Sequence, residues 1–556
     1  MSGFAYTTVA NMSEQELKLH VPASARAGVE QELARGATEN IALHALYFDT
    51  PTRELAQARV AIRLRREGDH WVQTLKTPGA HALARLELNH DRPGPVLDLS
   101  VYADTPVAPV LENLAGELGV RYETDVMRQL RRVRTRQGVV EIAYDRGWLR
   151  AGGLELPISE VEFELVSGHL QAVFQLGRRW QQKHGLVLDL RSKSERGDAL
   201  ATTALRLEAA GPAGAPETNQ LRATEISRFW APRPIQPVVL TSRQSPAQAL
   251  RVITQECLEQ IARNAAVLTE IDTAGVYAAG HPGHVHQLRV GMRRLRSAWR
   301  LFDGWASLPP LPLQQAARTI FGQFGANRDD DVLRDEILPA LMAAGMPAIT
   351  LPESHAEQSA ADSAGSRAVQ GWLLDLLAWT LDLTPATSSA KPAAADPATA
   401  HAATDSHTPL NGQDVAIIPL DAKTETENLQ RLLMQRLRKW HRSVVRDGRH
   451  FSTLDIDTRH ALRKRAKRLR YGLAFAESLL PQGRLRAYRR KLAAVQDQLG
   501  VINDIYVADA RFMQLSAEYP QAWFARGWFA ARLGQLEQSA QATLRDLGRG
   551  PGFWRD

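Results

Sequence analysis

The stretch EQELKLHV, residues 14–21, decides the fold of the N-terminal half of the chain. It alternates polar and apolar residues, and successive side chains of a β-strand point to opposite faces of the sheet. The stretch therefore predicts a strand with one apolar face and one charged face. The charged face carries Glu14, Glu16, Lys18 and His20.

Four further stretches before about residue 205 repeat this pattern. Their polar faces carry Arg63 and Arg65, Thr74 and Lys76, Glu141 and Asp145, and Glu160, Glu162 and Glu164. Helices packed on the apolar faces would leave the polar faces to line the interior of a barrel. The alternative is an open sheet whose charged face is solvated and held by cross-strand ion pairs. A run of three acids gains nothing from such a face without counter-charge, which favours the barrel.

The interior of such a barrel suits a phosphate compound bound together with a metal ion. Carboxylates are the ligands that hard divalent cations prefer, and Arg and Lys side chains hold phosphate oxygens. Hydrolysis of a phosphoanhydride depends mostly on positioning and on stabilising negative charge. It therefore needs no protein nucleophile.

The second half of the chain has a different pattern. From about residue 243 to 545, apolar residues recur at three- and four-residue spacing, which predicts helices. Residues 206–242 are rich in Pro and Gly, as is typical of an interdomain linker. Residues 384–412 are rich in Ala, Pro, Thr and Ser and predict a disordered insert. We thus expect an α+β protein with a domain over residues 12–205 and a helical domain over 243–545.

The helical half contains an internal repeat. The pattern His-x-Leu-Arg-x-x-x-(Arg/Lys)-Arg-Leu-Arg begins at His286 and again at His460. In both copies a Gly, an Asp and a Val follow about forty residues later. Two copies of one unit indicate a pseudo-symmetric helical bundle.

Each copy of the repeat aligns basic residues along one face of a helix. The first column holds His286, Arg289, Arg293 and Arg296, and the second holds His460, Arg463, Lys467 and Arg470. Like charges at this spacing repel one another, so the columns favour an external polyanion that neutralises them. A solvated, solubilising face is the alternative. Arginine suits bidentate contacts with phosphate, and two columns side by side would form a groove for an extended phosphate chain.

The composition limits the class of protein. With 556 residues the chain is too long for one ordinary core, and its net charge of +7 indicates an anionic partner. The lone Cys257 excludes a disulfide framework and a cysteine-rich zinc site and fits a reducing compartment. We find neither a secretory signal nor an apolar run long enough to span a bilayer. We expect a cytoplasmic protein without a membrane partner, starting at Met1 or at Met12.

The N-terminal half resembles the CYTH superfamily, the triphosphate tunnel metalloenzymes. EQELK, residues 14–18, matches the ExExK signature of that family, and further motifs follow in the expected order over about residues 12–205. These are FDTP (48–51), AIRLR (61–65), TLK (74–76), ARLELN (84–89), VEIAYDRG (140–147), PISEVEFEL (157–165) and RSKSERG (191–197).

This resemblance implies an eight-stranded antiparallel tunnel with outer helices that hydrolyses inorganic triphosphate with Mg²⁺ or Mn²⁺. It implies metal ligands at Glu14, Glu16, Glu160, Glu162 and Glu164. It implies phosphate contacts from Lys18, Arg63, Arg65, Lys76, Arg85, Arg128, Lys193 and Arg196. Among all these, the residues that we expect to act directly in catalysis are Glu14, Glu16, Lys18 and Lys76.

The helical half is similar to the CHAD family, the conserved histidine α-helical domain. The resemblance is carried by VHQLRVGMRRLRSAWRLF (285–302), RHALRKRAKRLRY (459–471), ANRDDDV (326–332) and LGVINDIYV (499–507). It implies an all-α bundle that binds inorganic polyphosphate through the two basic columns and associates with polyphosphate granules. We expect Asp329, Asp331 and Asp504 to orient arginine side chains.

Two other functions remain open at this point. The same tunnel would serve a nucleoside or thiamine triphosphatase or an adenylate cyclase, but the sequence has no clear site for a base. The chain would otherwise be a polyphosphate- or nucleic-acid-binding scaffold without activity, which the complete acidic and basic sets disfavour. Nucleic-acid binding would also require aromatic platforms among the basic residues, so we expect no nucleic-acid partner.

Overall fold

The N-terminal half forms a closed antiparallel β-sheet. The computed structural model describes residues 12–79, 83–269, 282–325, 332–349, 359–383, 428–550 and 552–554; the expected insert at 384–412, Asp329 and Asp331 lie outside these ranges. The strands are β1 (Met12–His20), β2 (Glu39–Asp49), β3 (Ala61–Glu67), β4 (His70–Pro78), β5 (Ala84–Arg92), β6 (Gly119–Arg134), β7 (Gly138–Ala151), β8 (Leu154–Gly168) and β9 (Val187–Leu188).

Eight of these strands close into a barrel. Their order is β5-β4-β3-β2-β6-β7-β8-β1, and pairing of β1 with β5 closes the ring. Full closure leaves no free sheet edge along these strands. The short β9 adds to β1 beside Leu19 and His20. The predicted eight-stranded antiparallel tunnel is confirmed, with β9 as an addition.

The apolar faces of the strands point outward, under a layer of helices. Leu17 and Leu19 of β1 are fully buried on this side. Phe163 of β8 packs edge-on against Trp180 of α4 (Gln171–His184), with 5.6 Å between the ring centroids. The charged faces are left to line the interior. Three more helices, α1 (Arg26–Leu33), α2 (Glu54–Gln57) and α3 (Ala108–Glu112), lie in the connections between strands.

Helix α5 (Lys193–Ala209) begins inside the mouth of the barrel. The hydroxyl of Ser192 caps it by accepting a hydrogen bond from the backbone N–H of Glu195, and such a cap sets where a helix starts. The first residue of the helix is therefore Lys193, which reaches the barrel interior. Arg196, one turn later, is buried on the same side.

The segment 206–242, whose composition is that of a linker, contains helix α6 (Pro216–Phe229). Pro216 at the first position favours a helix start because its φ angle is preset. None of the residues of α6 is buried. The connection between the halves is thus partly helical, and it adds Trp230, Val238 and Leu240 to the core from outside α6.

The C-terminal half is all-helical. Its helices are α7 (Pro246–Leu268), α8 (Pro282–Phe302), α9 (Leu311–Gln323), α10 (Leu338–Ala343), α11 (Ala360–Gly365), α12 (Arg367–Thr380), α13 (Leu429–Gly448), α14 (Ile456–Ala476), α15 (Gln482–Leu515) and α16 (Gln521–Arg549). The two repeat helices, α8 and α14, have equal lengths of 21 residues. Their apolar stripes, which include Leu288, Met292, Leu462 and Leu469, are buried as the spacing predicts.

The two halves share one hydrophobic core. A single cluster of buried side chains contains Leu17 of the barrel and Leu373 of α12. The side chain of Gln370 accepts a hydrogen bond of 2.8 Å from the backbone N–H of Leu188. Arg178 of α4 donates two hydrogen bonds of 3.1 Å to Asp375 of α12. The barrel and the bundle therefore pack as one body through both apolar and polar contacts.

Among the described helices, none is both long enough and apolar enough to cross a membrane. The single cysteine, Cys257 of α7, is fully buried. Burial raises the pKa of its thiol to about 12, so the side chain stays protonated and acts in packing.

Candidate active site

Three carboxylates surround one lysine inside the barrel. Oxygens of Asp145 on β7 and of Glu160 and Glu162 on β8 lie within 4.8 Å of one another. The Nζ of Lys193 lies 2.8 Å from Asp145, 2.5 Å from Glu160 and 2.7 Å from Glu162. We call these four residues the Lys193 cluster. Burial alone would lower the pKa of Lys193, but the three carboxylates outweigh it and raise this pKa well above its ordinary value.

Arg128 of β6, the strand next to β7, binds the same cluster. Its guanidinium donates hydrogen bonds of 2.7 and 2.8 Å to the two oxygens of Asp145 and one of 2.7 Å to Glu162. Burial would raise the pKa of Asp145, but Arg128 and Lys193 hold it well below its usual range. The carboxylates of Asp145 and Glu162 are therefore ionised and fixed in place.

Glu160 is buried and is contacted by further cations. It pairs with the buried guanidinium of Arg196, and the Nζ of Lys18 lies 3.4 Å away. Burial would raise the pKa of Glu160, yet Arg196, Lys18 and Lys193 hold it well below the ordinary value. For Lys18 burial dominates and lowers the pKa, although Glu160 opposes this. Lys18 also donates a hydrogen bond to the backbone carbonyl of Arg191.

A second set of acids, which we call the outer acidic group, consists of Glu14, Glu16, Glu141 and Glu164. Glu164 pairs in register with Glu16 on β1 and with Glu141 on β7. Burial, then the charges of Glu141 and Glu16, raise the pKa of Glu164 to about 7. Burial also raises the pKa of Glu14 to about 9 and outweighs the nearby ammonium of Lys76. Burial and mutual repulsion thus disfavour the ionised forms of Glu14 and Glu164, and a cation between these acids would favour ionisation.

Arg85 and Arg132 lie near the outer acidic group, but neither compensates its charge fully. The Nε of Arg85 lies 3.8 Å from Glu16, which is too long for a hydrogen bond. Arg132 reaches Glu141 at 2.8 Å, but its side chain is 68% exposed and the pair is screened by water.

Lys76 of β4 links the outer acidic group to a further carboxylate. Its Nζ lies 2.8 Å from Glu14 and 2.6 Å from Glu87 on β5. Glu87 also lies 3.7 Å from Arg63, whose guanidinium donates a long hydrogen bond of 3.5 Å to the hydroxyl of Tyr47. Lys76 of β4 and Arg63 of β3 thus both lie near Glu87.

These side chains surround one cavity of about 1540 Å³. The predicted residues that line it are Glu14, Glu16, Lys18, Arg63, Arg65, Lys76, Arg85, Arg128, Glu162, Glu164 and Lys193. Glu160 and Arg196 do not line it, because they are buried directly behind Lys193 at 2% and 4% exposure. The structure therefore brings every residue assigned to the tunnel into one neighbourhood.

Four residues of the site, Glu87, Glu141, Asp145 and Tyr47, were not among those assigned to metal or phosphate binding from the sequence. Asp145 and Glu87 lie on the polar faces of their strands, so the alternation that found their neighbours was also the signal for them. Tyr47 lines the cavity through its hydroxyl, while its ring stacks on Tyr122 with 4.6 Å between centroids. A tyrosine in a strand gives no comparable signal, because it is common in ordinary cores.

The donor chemistry of the outer acidic group fits a divalent metal ion. Its carboxylates are hard oxygen ligands, and they face one another without a full counter-charge. The Lys193 cluster is already neutralised by Lys193, Arg128 and Arg196. Glu14, Glu16 and Glu164 of the predicted metal set thus fit a cation, whereas Glu160 and Glu162 are engaged by basic side chains.

The two basic columns of the helical half lie side by side. Burial lowers the pKa of Lys467 on α14 to about 7, and the next contributions come from Arg463 on the same helix and Arg293 on α8. Arg468 of α14 likewise has its pKa lowered by burial and then by Arg300 of α8. Cations from the two helices therefore affect one another directly.

Phe321 of α9 supports the first column. The guanidinium carbons of Arg289, Arg293 and Arg296 lie 4.5, 6.0 and 5.7 Å from the centroid of its ring. Each of these distances allows a cation–π interaction. The apolar Phe321 gave no signal in the sequence, yet it gathers three arginines around one ring.

The second column contacts the adjacent helix α15. The Nδ1 of His460 lies 2.8 Å from the side-chain oxygen of Asn503. The guanidinium of Arg463 lies 3.7 Å from Asp504. This contact agrees with the expectation that Asp504 orients an arginine. His286 heads the first column on α8 and is half-buried.

Comparison with known families divides the chain into two parts. Residues 12–197 match the CYTH domain and residues 253–512 match the CHAD domain.

Individual relatives match one part each. An inorganic triphosphatase of Haemophilus influenzae is 32% identical over 204 residues, which cover 34% of this chain and 56% of that protein. The alignment thus spans about half the length of this relative. The crystal structure of a CHAD domain from Ricinus communis is 27% identical and covers 57% of this chain and 96% of its own, with a TM-score of 0.41. A Hippeastrum protein studied as an adenylyl cyclase and reported to have a dominant triphosphatase activity is 19% identical over 34% of this chain and 95% of its own, with a TM-score of 0.25.

Proposed function

We propose, from the premise that this chain joins a CYTH domain to a CHAD domain, that its barrel hydrolyses inorganic triphosphate with Mg²⁺ or Mn²⁺ and that its helical half binds inorganic polyphosphate. The observation that supports the first part is the meeting of carboxylates and cations from separate strands in one cavity. The observation that supports the second is the packing of α8 against α14, whose two basic columns contain no acid.

Basic side chains of the tunnel would neutralise the substrate. Triphosphate carries several negative charges, which repel an attacking water unless cations offset them. Lys76 and Arg63 exchange their contacts with Glu87 for phosphate oxygens, and Arg85 lies close enough to Glu16 to contact a phosphate beside it. Positioning of this kind supplies much of the rate in phosphoryl transfer.

The Lys193 cluster would hold the cations in place. Because Asp145 and Glu162 bind Arg128 through several hydrogen bonds, its guanidinium has one fixed orientation before substrate arrives. Glu14, Glu16 and Glu164 would hold the metal, with Lys76 beside Glu14. When bound, a divalent metal supplies Lewis-acid stabilisation of phosphate charge and activation of water.

The test is phosphate release from triphosphate, pyrophosphate, ATP and long polyphosphate, each with Mg²⁺ and with Mn²⁺. We expect metal-dependent release that is fastest with triphosphate and nearly lost in Glu16→Ala. The matched control is Glu155→Ala, because Glu155 is an exposed acid of β8 outside the cavity. Equal loss in the control, or no release from any substrate, would overturn the proposal; the second result would indicate a binding scaffold without activity.

The residues that line the cavity argue against recognition of a nucleoside. Among the described residues that line it, Tyr47 is the one aromatic side chain, and one face of its ring is already covered by Tyr122. A base would therefore find little surface for stacking. Turnover of ATP as fast as that of triphosphate would instead support a nucleoside triphosphatase, and release of pyrophosphate from ATP would support a cyclase.

Polyphosphate binding is tested by reversing charge in both columns. We expect Arg293→Glu with Lys467→Glu to weaken polyphosphate binding and to leave triphosphate hydrolysis intact. A control with the same change in charge is Arg545→Glu with Arg549→Glu, at the exposed end of α16. Unchanged binding in the first variant would exclude the groove.

The same binding would place the protein on polyphosphate granules in the cytoplasm. Fluorescence imaging of a tagged chain tests this, and the column variant should lose the colocalisation. A diffuse signal for the unmodified chain in granule-containing cells would contradict it.

A further inference from the structure

The tunnel cavity extends beyond the barrel to a wall built by the other half of the chain. Side chains of the linker and of α7 line it, among them Arg233, Gln236, Gln255, Glu259 and Arg263. The helical half therefore contributes directly to the space in which we expect substrate to bind.

Two arginines of this wall each have one side-chain hydrogen-bond donor without an acceptor in the described part of the chain. These donors are the buried Nε atoms of Arg233 and Arg263. The other guanidinium nitrogens of Arg263 bind both oxygens of Glu195. A buried donor without an acceptor is unfavourable, and a phosphate oxygen would satisfy it.

The acids of the wall leave room for an anion. Glu256 is engaged by Arg294 at 3.3 Å and by the backbone N–H of Gln236 at 3.0 Å. Glu259 lies 4.0 Å from Arg233 and 3.9 Å from the Nε of Arg263, beyond hydrogen-bond distance. Only Glu195 binds one of the two arginines closely, so a phosphate group has a single close carboxylate to compete with.

The wall lies close to the proposed triphosphate site. Glu195, the partner of Arg263, stands in the first turn of α5, two residues after Lys193. One turn of an α-helix rises about 5.4 Å, so Arg263 is anchored within one turn of the Lys193 cluster. Arg263 and Lys193 both line the same cavity.

We propose that Arg233 and Arg263 form an accessory phosphate subsite at the interdomain wall. The subsite binds the phosphate groups of a linear polyphosphate that extends past the three held in the barrel. This inference rests on the proposed triphosphatase activity and adds chain-length selectivity to it. The reaction remains hydrolysis of one phosphoanhydride bond by water, which divides the chain into two shorter phosphate chains.

The test compares triphosphate with linear tetraphosphate and pentaphosphate in the full chain. We expect Arg263→Gln to lower kcat/KM for the longer chains about tenfold, as loss of a hydrogen bond to a charged group would. Its kcat/KM for triphosphate should stay within about twofold. Arg251→Gln, a change of another arginine of α7 that does not line the cavity, should leave the profile unaltered.

A second variant separates phosphate binding from loosening of the interface. Glu195→Gln removes the same interdomain ion pair but frees the guanidinium of Arg263, so we expect kcat/KM for the longer chains to rise. A fall in Glu195→Gln that matches Arg263→Gln would show that the pair only holds the halves together and would overturn the subsite. Equal effects of Arg263→Gln on all three substrates would overturn it too. No release from triphosphate by the unmodified chain would instead refute the proposed function, and the subsite with it.

Discussion

Lys467 should make polyphosphate binding by the helical half depend on pH near neutrality. Burial, then Arg463 on its own helix and Arg293 on α8, lower its pKa to about 7; Asp504 on α15 opposes them but is outweighed. A polyanion in the groove offsets these cations and favours the protonated lysine. Below pH 7 the side chain is already charged, whereas above it each binding event must take up a proton. Affinity therefore falls as the pH rises through 7.

The size of the effect follows from the pKa. With a value of about 7 in the free protein, roughly one Lys467 side chain in thirty is protonated near pH 8.5. If the bound state stays protonated, Kd rises by up to about 25-fold between about pH 6.5 and about pH 8.5. Lys467→Arg should remove most of this dependence, because a guanidinium stays charged throughout this range.

The assay is a titration of the full chain with long-chain polyphosphate across this pH range. Ionic strength is held constant, because binding of a polyanion depends steeply on salt. The wild type should lose affinity with rising pH while Lys467→Arg stays nearly flat. A wild type as flat as the variant, or a variant as steep as the wild type, would refute the reasoning.

Three further predictions test other parts of the structure. Lys193→Met should lower the free energy of unfolding by about 3–5 kcal/mol, since three carboxylates, two of them buried, lose their shared cation. In the same denaturant unfolding experiment, Lys183→Met, which removes an exposed lysine, should cost less than about 1 kcal/mol, and equal losses would contradict the cluster. Phe321→Ala should weaken polyphosphate binding about tenfold in the same titration, because three arginines lose a cation–π contact; unchanged affinity would exclude a role for the ring. Removal of metal with a chelator should stop phosphate release, with recovery on adding Mg²⁺ or Mn²⁺, and should leave polyphosphate binding intact; loss of both would mean that the two sites are not separate.

Alternation in the sequence was sufficient to predict the two faces of five of the eight barrel strands, namely β1, β3, β4, β7 and β8. In EQELKLHV the spacing of two separates Leu17 and Leu19 from Glu14 and Glu16, and burial in the structure follows that division. The reason is physical, because a shift of one residue would put charged groups in the outer core and apolar groups in the cavity.

Alternation could not predict which charges meet. Lys193 binds Asp145 and Glu162 only because α5 returns into the mouth of the barrel, and that return depends on tertiary packing. Pairing of this kind decides which acids are neutralised and which remain for a metal. The interdomain wall was missed for a similar reason, because composition alone marks Arg233 as part of a linker.

Helices α7 and α8 each carry basic residues of one of the two proposed phosphate sites. Helix α8 packs on α7 through Gly291, where an added Cβ would come within 2.7 Å of the Ile261 side chain. The same helix turns Arg293 and its column toward Phe321 on α9, while α7 places Arg263 on the tunnel wall. Under the proposed function, a long phosphate chain held on the columns would raise the effective concentration of chain ends near the tunnel, and this effect would depend on the length of the chain.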